Sequence, residues 1–424
     1  MNKLGASIVL CTVMASLLLA APEEDSDVKQ LRKEVRELQQ MMVELKKANK
    51  ELEVNSDEYF EGENNDMPSN DFYDLKTSVK QIEAALEGNA KSGFQLAGYT
   101  SFDWVDAQGS DNEFTGVKFA PIFHYQYGDL FQFEGELEFK AQDDGETETE
   151  LEYAAGTLFI NDYMGLQMGK FLSPIGQYVQ NLHPAWINKL PSDPVGFGHD
   201  GAAPTSNIGV ALRGGLPKVA DLRSNYAFFV SNAPSFGEAD DGDIGIDASG
   251  KTTSGDVSKT WGGRFAINPM GGMEFGVSGA IGKASEELTA TTNIGAAVGD
   301  KIDRDYDVFG ADFMFNINGI DLKAEYVQQE IGENELSSLE GGTWRSWYGQ
   351  ISYQFSSIKL EPVIRYSDYH NPETERNQWA LGLNYLFANN LIAKVAYEYN
   401  ENEDSAGEAS INNNRVLAQF AFGF

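Results

Sequence analysis

The 424-residue chain has 65 acidic and 31 basic residues, giving a formal net charge of −34, with 12% aromatic residues and 43 glycines. This charge argues against a nucleic-acid binder, because such proteins present a basic surface to phosphate. Past the N-terminus no apolar run is long enough for a membrane-spanning helix. The aromatic and glycine content, with a mean hydropathy of −0.37, suits a transmembrane β-barrel or a large soluble β-protein.

Residues 1–21 have the pattern of a secretory signal peptide. Lys3 supplies the positive start, Leu4–Leu19 is apolar, and Ala20–Ala21 offers a small-residue cleavage point. An uncleaved anchor is the alternative, which the short length and the acidic residues that follow disfavour. The only cysteine, Cys11, lies inside the apolar segment, so the mature chain is expected to have no disulfide.

Residues 22–53 predict an α-helical coiled coil. Apolar residues recur at spacings of three and four, with one polar residue at a core position, and charged residues fill the intervals. The alternative is a single amphipathic helix that lies on the body of the protein, but four unbroken heptads favour self-association. The repeating positions are Val28, Leu31, Val35, Leu38, Met42, Leu45, Asn49 and Leu52.

An acidic segment, 54–71, separates this helix from a second one. Its polar residues with Gly62 and Pro68 predict a linker. Residues 72–92 then resume helical spacing and predict a second short helix, with apolar positions at Phe72, Leu75, Val79, Ile82 and Leu86.

From residue 93 to 424 the apolar period changes to two, which is the period of β-strands. In the stretch FQFEGELEF, residues 131–139, aromatic and aliphatic side chains occupy one face, and Glu134, Glu136 and Glu138 occupy the other. Burying three consecutive glutamates in a core would be very costly. Such a strand fits an apolar medium on one side and water on the other.

Sixteen segments of this kind predict an all-β transmembrane barrel of about sixteen antiparallel strands. Tight turns, including Asn268-Pro269 and Asn316 to Gly319, alternate with long acidic loops such as 233–257 and 284–302. An even strand number places both barrel ends, and the coiled coil, on the periplasmic side. The segments are 94–106, 114–127, 129–142, 149–161, 163–171, 206–214, 221–232, 258–268, 271–283, 303–316, 318–330, 343–355, 356–368, 374–388, 389–400 and 413–424.

The chain ends on an aromatic strand, RVLAQFAFGF, whose Phe420, Phe422 and Phe424 share one face. Soluble proteins usually avoid such an exposed, sticky edge. If this strand pairs with the first one, the barrel closes, both edges disappear, and the phenylalanine face meets lipid.

The signal peptide, the barrel alternation and the terminal phenylalanines resemble those of bacterial outer-membrane porins. The stretches Gly169–Gly176 and His183–Pro191 also resemble the phosphate-selective porin O/P family. The resemblance implies an outer-membrane location among lipid and lipopolysaccharide, and recognition of the terminal strand by the barrel-assembly machinery. That family selects anions along an arginine and lysine path, but this chain has no dense lysine ladder, so the resemblance does not extend to phosphate selectivity.

The longest loop, 172–205, follows the fifth predicted strand. In sixteen-stranded porins this loop commonly folds inward and narrows the channel, so the resemblance implies a constriction loop here. The alternative is an external loop packed over the rim. Its candidate residues are Tyr178, His183, Trp186, Lys189 and Asp193.

Strict alternation places charges of both signs inside the barrel, as a water-filled channel needs. One interpretation is a transverse electric field between glutamates of the third strand and arginines on later strands of the barrel. The alternative is that each charge only solvates the lumen, and a register error of one residue would move a whole strand's set outward. The candidate pore-lining residues are Lys118, Glu134, Glu136, Glu138, Arg213, Arg264 and Arg365.

No catalytic or metal site is predicted. The four histidines are far apart and lack metal-ligand spacing, and neither Gly-x-Ser-x-Gly nor His-Glu-x-x-His occurs. We therefore expect a protein without enzymatic activity or cofactor.

The sequence predicts a homotrimeric porin for passive diffusion of ions and small hydrophilic solutes, with no nucleic-acid partner. The heptads motivate the trimer, although they also allow a dimer. Two alternatives remain: a plugged barrel that anchors the envelope through its coiled coil, and a soluble β-sandwich or adhesin. The terminal phenylalanine strand and the sustained apolar faces disfavour the second.

Overall fold

A computed structural model of the protein describes residues 92–109, 112–198, 201–219, 222–238, 244–252, 258–288, 297–404 and 413–424. The predicted signal peptide, coiled coil, linker and second helix lie outside the described residues, apart from Ser92 at the end of the second helix. Ser92 begins the first strand, one residue before the predicted start of the barrel.

Sixteen antiparallel strands form a closed barrel, which confirms the barrel of the predicted fold class. Each strand pairs with its neighbour, and the last strand pairs with the first, with Tyr99 opposite Gly423 and Ala107 opposite Arg415. The strands are β1 (Ser92–Ala107), β2 (Glu113–Tyr127), β3 (Phe131–Ala141), β4 (Thr147–Asn161), β5 (Met164–Leu172), β6 (Ser206–Val219), β7 (Leu222–Asn232), β10 (Lys259–Met270), β11 (Met273–Glu287), β12 (Lys301–Ile317), β13 (Ile320–Ile331), β14 (Gly342–Tyr353), β15 (Leu360–His370), β16 (Thr374–Ala388), β17 (Leu391–Asp404) and β18 (Arg415–Gly423).

Two further short strands, β8 (Ser235–Glu238) and β9 (Ile244–Asp247), form a hairpin between β7 and β10. They lie outside the barrel order, because β7 pairs directly with β10. The sequence did not predict this hairpin, since each strand is too short to show a period.

Short turns join the strands at one end of the barrel, here called the short-turn rim, and longer loops join most of them at the other, the long-loop rim. The turn predicted at Asn268-Pro269 was wrong. Both residues lie within β10, and the chain turns at Gly271-Gly272, where Gly272 takes a φ of +78° that favours glycine.

The outward face carries an apolar belt. On β16 the exposed side chains are all apolar from Trp379 to Phe387, and Ala380 between them is buried. At about 3.3 Å per residue this stretch covers about 26 Å along the strand, or about 20 Å across a membrane at a tilt of about 40°. A bilayer is the medium that such a belt matches. The exposed side chains of this stretch are Trp379, Leu381, Leu383, Tyr385 and Phe387.

Helical structure within the described residues includes one short π-helical segment, Tyr178–Leu182. No described helix is both long enough and apolar enough to cross a membrane.

The terminal strand turns its phenylalanines outward. Phe420 and Phe424 are exposed, whereas Gln419, Ala421 and Gly423 are buried. The ring of Phe424 stacks on Phe119 of β2, with 6.0 Å between centroids and 16° between ring planes. The seam of the barrel, where β18 pairs with β1, is therefore closed by backbone hydrogen bonds and by aromatic contacts on its outer surface. Recognition of this strand during assembly stays a prediction.

At the seam, position 98 requires glycine, because no side chain fits there. Its φ is +154°, and an added Cβ would lie 2.4 Å from the Ala120 carbonyl oxygen and 2.7 Å from the Phe424 ring. We expect Gly98→Ala to lower the fraction of folded barrel strongly, because strained backbone alone costs about 1–3 kcal/mol. Electrophoretic mobility without heating measures that fraction.

Gly349→Ala is the matched control for this prediction. Gly349 lies on β14, and an added Cβ there would meet no atom within 4 Å. Equal folding yields for the two variants would contradict a special role of Gly98 at the seam.

Candidate pore and constriction loop

On the lumen side of β2 and β3, ion pairs have a buried carboxylate and more exposed cations. Glu138 lies between two lysines, with Lys118 Nζ at 2.8 Å and Lys140 Nζ at 2.7 Å from its carboxylate oxygens. The Glu138 side chain is 1% exposed, whereas Lys118 is 28% and Lys140 35% exposed. The carboxylate is therefore covered and the two ammonium groups face the lumen. Lys140 was not among the predicted pore-lining residues, although its alternation with Phe139 places it on the same face as Glu138.

The same orientation recurs at β15 and at β17–β18. Lys189 Nζ lies 2.7 Å from Glu361, with side chains 21% and 1% exposed. Arg415 Nε lies 2.5 Å from Glu398, with side chains 36% and 0% exposed. In each pair the wall buries the carboxylate and leaves the cation toward open space.

The other predicted residues of the β2, β3 and β6 walls lie at different depths. Glu134 is half-buried and lies 2.9 Å from the Nδ1 atom of His124, whereas Glu136 is buried. Arg213 is exposed, and its Nη1 atom lies 3.5 Å from Gln167 Oε1. Arg213 is thus a cation near the pore with a weak neutral contact.

Arg264 is placed differently, because it is buried among carboxylates. Its Nε and Nη2 atoms lie 3.0 and 2.6 Å from the two oxygens of Asp312, and Nη2 lies 2.7 Å from Glu274. A guanidinium held in this bidentate way is neutralised and fixed. It braces β10, β11 and β12 and contributes little to the field in open lumen.

Arg264→Met should therefore affect stability far more than ion selectivity. Removing one partner of a buried ion pair costs about 3–5 kcal/mol, because the remaining carboxylates stay buried without compensation. Urea unfolding of the reconstituted barrel, followed by tryptophan fluorescence, measures the loss.

Arg345→Met serves as the control, because Arg345 is exposed on β14 beside the buried Trp344 and Ser346. If Arg264→Met unfolds like this control but shifts the reversal potential, Arg264 is a pore charge and the bracing role is refuted.

The long loop between β5 and β6 enters the barrel. Backbone N–H of Tyr178 donates to Glu325 of β13 at 2.9 Å, and the backbone N–H of Gly176 donates to Ser278 of β11 at 3.2 Å. The Tyr178 hydroxyl donates to Asp193 within the loop at 2.6 Å. The start of the loop is thus fixed to the wall of β11 and β13.

The second half of the loop is fixed to β15 and β17. Arg365 is fully buried and donates to the Ser192 and Asp193 carbonyls, each at 2.9 Å. Lys189 bonds Glu361, as described above, and Lys394 reaches the Ala185 carbonyl. Arg365, predicted as a pore-lining charge, therefore holds loop backbone and is covered by the loop, which keeps it from the open lumen.

The middle of the loop reaches the short-turn rim. The Trp186 indole packs on Gly423, where an added Cβ would lie 2.9 Å from the ring. His183 donates from Nδ1 to the Val179 carbonyl, and burial lowers the pKa of its ring, so it is neutral at neutral pH. All five predicted loop residues thus lie inside the barrel; their control of the channel stays a prediction.

The β8–β9 hairpin also folds inward, at the long-loop rim. Phe236 packs edge-on against Trp344 with 5.8 Å between centroids, and the Arg304 guanidinium lies 5.0 Å from the Phe236 ring. Arg304 is paired with the buried Glu286 at 2.6 Å. One backbone bridge joins Ser206, at the end of the long loop, to Ser249 beyond the hairpin. The mouth is therefore narrowed by two loops, and only the first was predicted.

A cleft of about 340 Å³ lies between the long loop and the walls of β1–β3 and β18, and its lining includes Lys118, Lys140, Pro191, Ser192 and Arg415. Three of the exposed cations, Lys118, Lys140 and Arg415, border this open space. Over the described ranges, no group of three or more histidine, cysteine or acidic side chains is arranged to hold a metal ion.

Residues 251–424 match the family described as phosphate-selective porin O and P. No curated protein is significantly similar in sequence to the chain. Several solved structures share its fold. The outer membrane channel DcaP of Acinetobacter baumannii has a TM-score of 0.52 at 10% identity, covering 78% of this chain and 97% of DcaP.

A loop L8 deletion mutant of OmpT, an outer membrane protein of Vibrio cholerae, has a TM-score of 0.51 at 11% identity, covering 79% of this chain and 100% of that one. OmpF of Salmonella typhi, in a complex with daunomycin, has a TM-score of 0.50 at 15% identity, covering 79% and 99%. These findings confirm the resemblance inferred from the sequence: the chain has the sixteen-stranded fold of outer-membrane porins, and its residues 251–424 match the phosphate-selective porin O and P family.

Proposed function

We propose that the protein is an outer-membrane porin, a water-filled channel through which ions and small hydrophilic solutes diffuse passively, with a preference for anions. The observation that carries this proposal is the orientation shared by four lumen ion pairs, in which the cation is more exposed than the carboxylate. In the pairs of Lys118 and Lys140 with Glu138, of Lys189 with Glu361, and of Arg415 with Glu398, the cation is always the more exposed partner.

This orientation matters because a solute meets the nearest charges first. An ion in the lumen interacts with the exposed ammonium groups at short range, while the buried carboxylates lie behind them. The formal charge of −34 belongs to the whole chain. That total counts every acidic residue of the sequence, and physiological salt screens a charge that lies more than about 8 Å from a permeating ion.

A plugged barrel that anchors the envelope is the second candidate. The bonds that tie the long loop to β11, β13, β15 and β17 favour it, because a firmly held loop fills part of the lumen. The open cleft beside β1–β3 favours the channel instead. Solute flux distinguishes the two.

The assembly proposed with this function is a homotrimer in outer-membrane lipid and lipopolysaccharide. The heptads of residues 22–53 support self-association as a coiled coil on the periplasmic side. The terminal strand would direct insertion by the barrel-assembly machinery. We propose no catalytic role.

Swelling of reconstituted liposomes in iso-osmotic sugar tests the proposed function. A channel gives swelling whose rate falls with increasing sugar size, and heat-unfolded protein is the control. Folded protein that gives no swelling with any solute would refute the channel and favour the plugged barrel.

A further inference from the structure

A second cleft, of about 510 Å³, opens at the long-loop rim between the long loop, the β8–β9 hairpin and strands β14–β18. We call it the mouth cleft. Its volume lies within the range of about 300–1,000 Å³ that holds small ligands. Its lining includes six amide side chains, Asn371, Asn377, Gln378, Asn400, Asn402 and Asn413.

The lining of the mouth cleft differs from the rest of this acidic chain. Among its described residues the single carboxylate is Asp193, which accepts a hydrogen bond from the Tyr178 hydroxyl. Two guanidinium groups, of Arg376 and Arg415, also line it. For a chain with 65 acidic residues, this described lining is poor in carboxylates.

Two of these amides form a cross-strand pair. Gln378 lies opposite Asn400 on β16 and β17, and its Nε2 atom donates to Asn400 Oδ1 at 3.0 Å. Arg376 lies opposite Asn402 in the next pair along the same face. Directly opposed side chains are about 5 Å apart, so these four form one continuous polar surface. Amides donate and accept at once, as vicinal hydroxyl groups do.

Arg376 supplies the charged end of this surface. It is exposed, and its guanidinium lies 6.0 Å from the Tyr369 ring centroid. Within the described part of the chain no carboxylate pairs with it, whereas Arg415 is held by Glu398. A guanidinium fork binds a carboxylate through two parallel hydrogen bonds.

We propose that the mouth cleft binds hydroxyl-rich solutes that carry a carboxylate, the chemical class of sugar acids. The carboxylate pairs with Arg376, and the ring hydroxyls bond Asn402, Gln378 and Asn400. The inference deepens the proposed channel function and rests on it, since the cleft shares Ser192 and Asp193 with the constriction loop. Binding there places the solute at the entrance of the pore.

Current through the channel in a planar bilayer, recorded at neutral pH in potassium chloride, tests the proposal. The probes are D-glucuronate, which has hydroxyls and a carboxylate, D-glucose, which has only hydroxyls, and acetate, which has only the carboxylate. We expect glucuronate to reduce the current at a lower concentration than glucose or acetate. Arg376→Gln should raise the half-blocking glucuronate concentration about tenfold, as expected for loss of a charged hydrogen bond.

Asn402→Ala should weaken the block by glucuronate and glucose alike, and Arg345→Gln should change neither, because Arg345 lies on the outer face of the same rim. The proposal is overturned if glucuronate blocks no better than acetate, or if Arg376→Gln leaves glucuronate block unchanged. Both results leave chloride current intact, whereas failure of the channel function abolishes current altogether.

Discussion

Replacing Lys118 and Lys140 together by glutamine is expected to lower the chloride-to-potassium permeability ratio about fivefold. The substitution removes the two exposed ammonium groups and leaves Glu138 without its partners. A unit charge acts on an ion 4 Å away in water with about 1 kcal/mol, and about 1.4 kcal/mol is a tenfold change. The reversal potential under a potassium chloride gradient measures the ratio.

The matched control is Lys283→Gln with Lys301→Gln. Both lysines are exposed near the long-loop rim on the outward face, and Lys283 pairs with Asp305. This variant changes the net charge of the chain equally and should leave selectivity unchanged. If both double variants shift the reversal potential to the same extent, net charge governs selectivity and the lumen pairs do not.

Replacing Arg365 by methionine should release the second half of the long loop. Its guanidinium donates to the Ser192 carbonyl, the Ser192 hydroxyl and the Asp193 carbonyl, each at 2.9 Å. Three hydrogen bonds at about 1 kcal/mol each hold the loop by about 3 kcal/mol. We expect larger mean single-channel conductance and strong open-channel noise, because a loop that leaves the wall fluctuates in the pore.

Arg345→Met is again the control, since it removes the same group from the outer surface. A quiet current of unchanged size for Arg365→Met, with the barrel shown to be folded, would mean that Arg365 does not hold the constriction.

The barrel could be predicted from the sequence because each strand separates two media. Lipid on one side and water on the other impose a strict period of two, as β16 shows, where the predicted and observed bounds are both 374–388. The closure of β18 on β1 followed from the same reasoning, since an unpaired aromatic edge is unfavourable.

The partners of the lumen charges could not be predicted in the same way. Alternation tells which way a side chain points, but Arg264 and Asp312 are 48 residues apart in sequence, and their pairing depends on strand register. Arg365 meets Ser192 only because the long loop returns to the wall of β15. Burial by a loop is a tertiary effect without a local sequence signal.

The β8–β9 hairpin also could not be predicted from the sequence. Phe236 and Ile246 are buried at the mouth, but each belongs to a strand of four residues in an acidic segment. A period cannot be recognised over so few residues.

The most direct test of the proposed anion preference is the reversal potential of the unmodified protein in a planar bilayer under a potassium chloride gradient. Exposed cations over buried carboxylates give an anion-selective reversal, despite the net charge of −34. A cation-selective reversal from folded, conducting protein would contradict the role assigned to the oriented ion pairs.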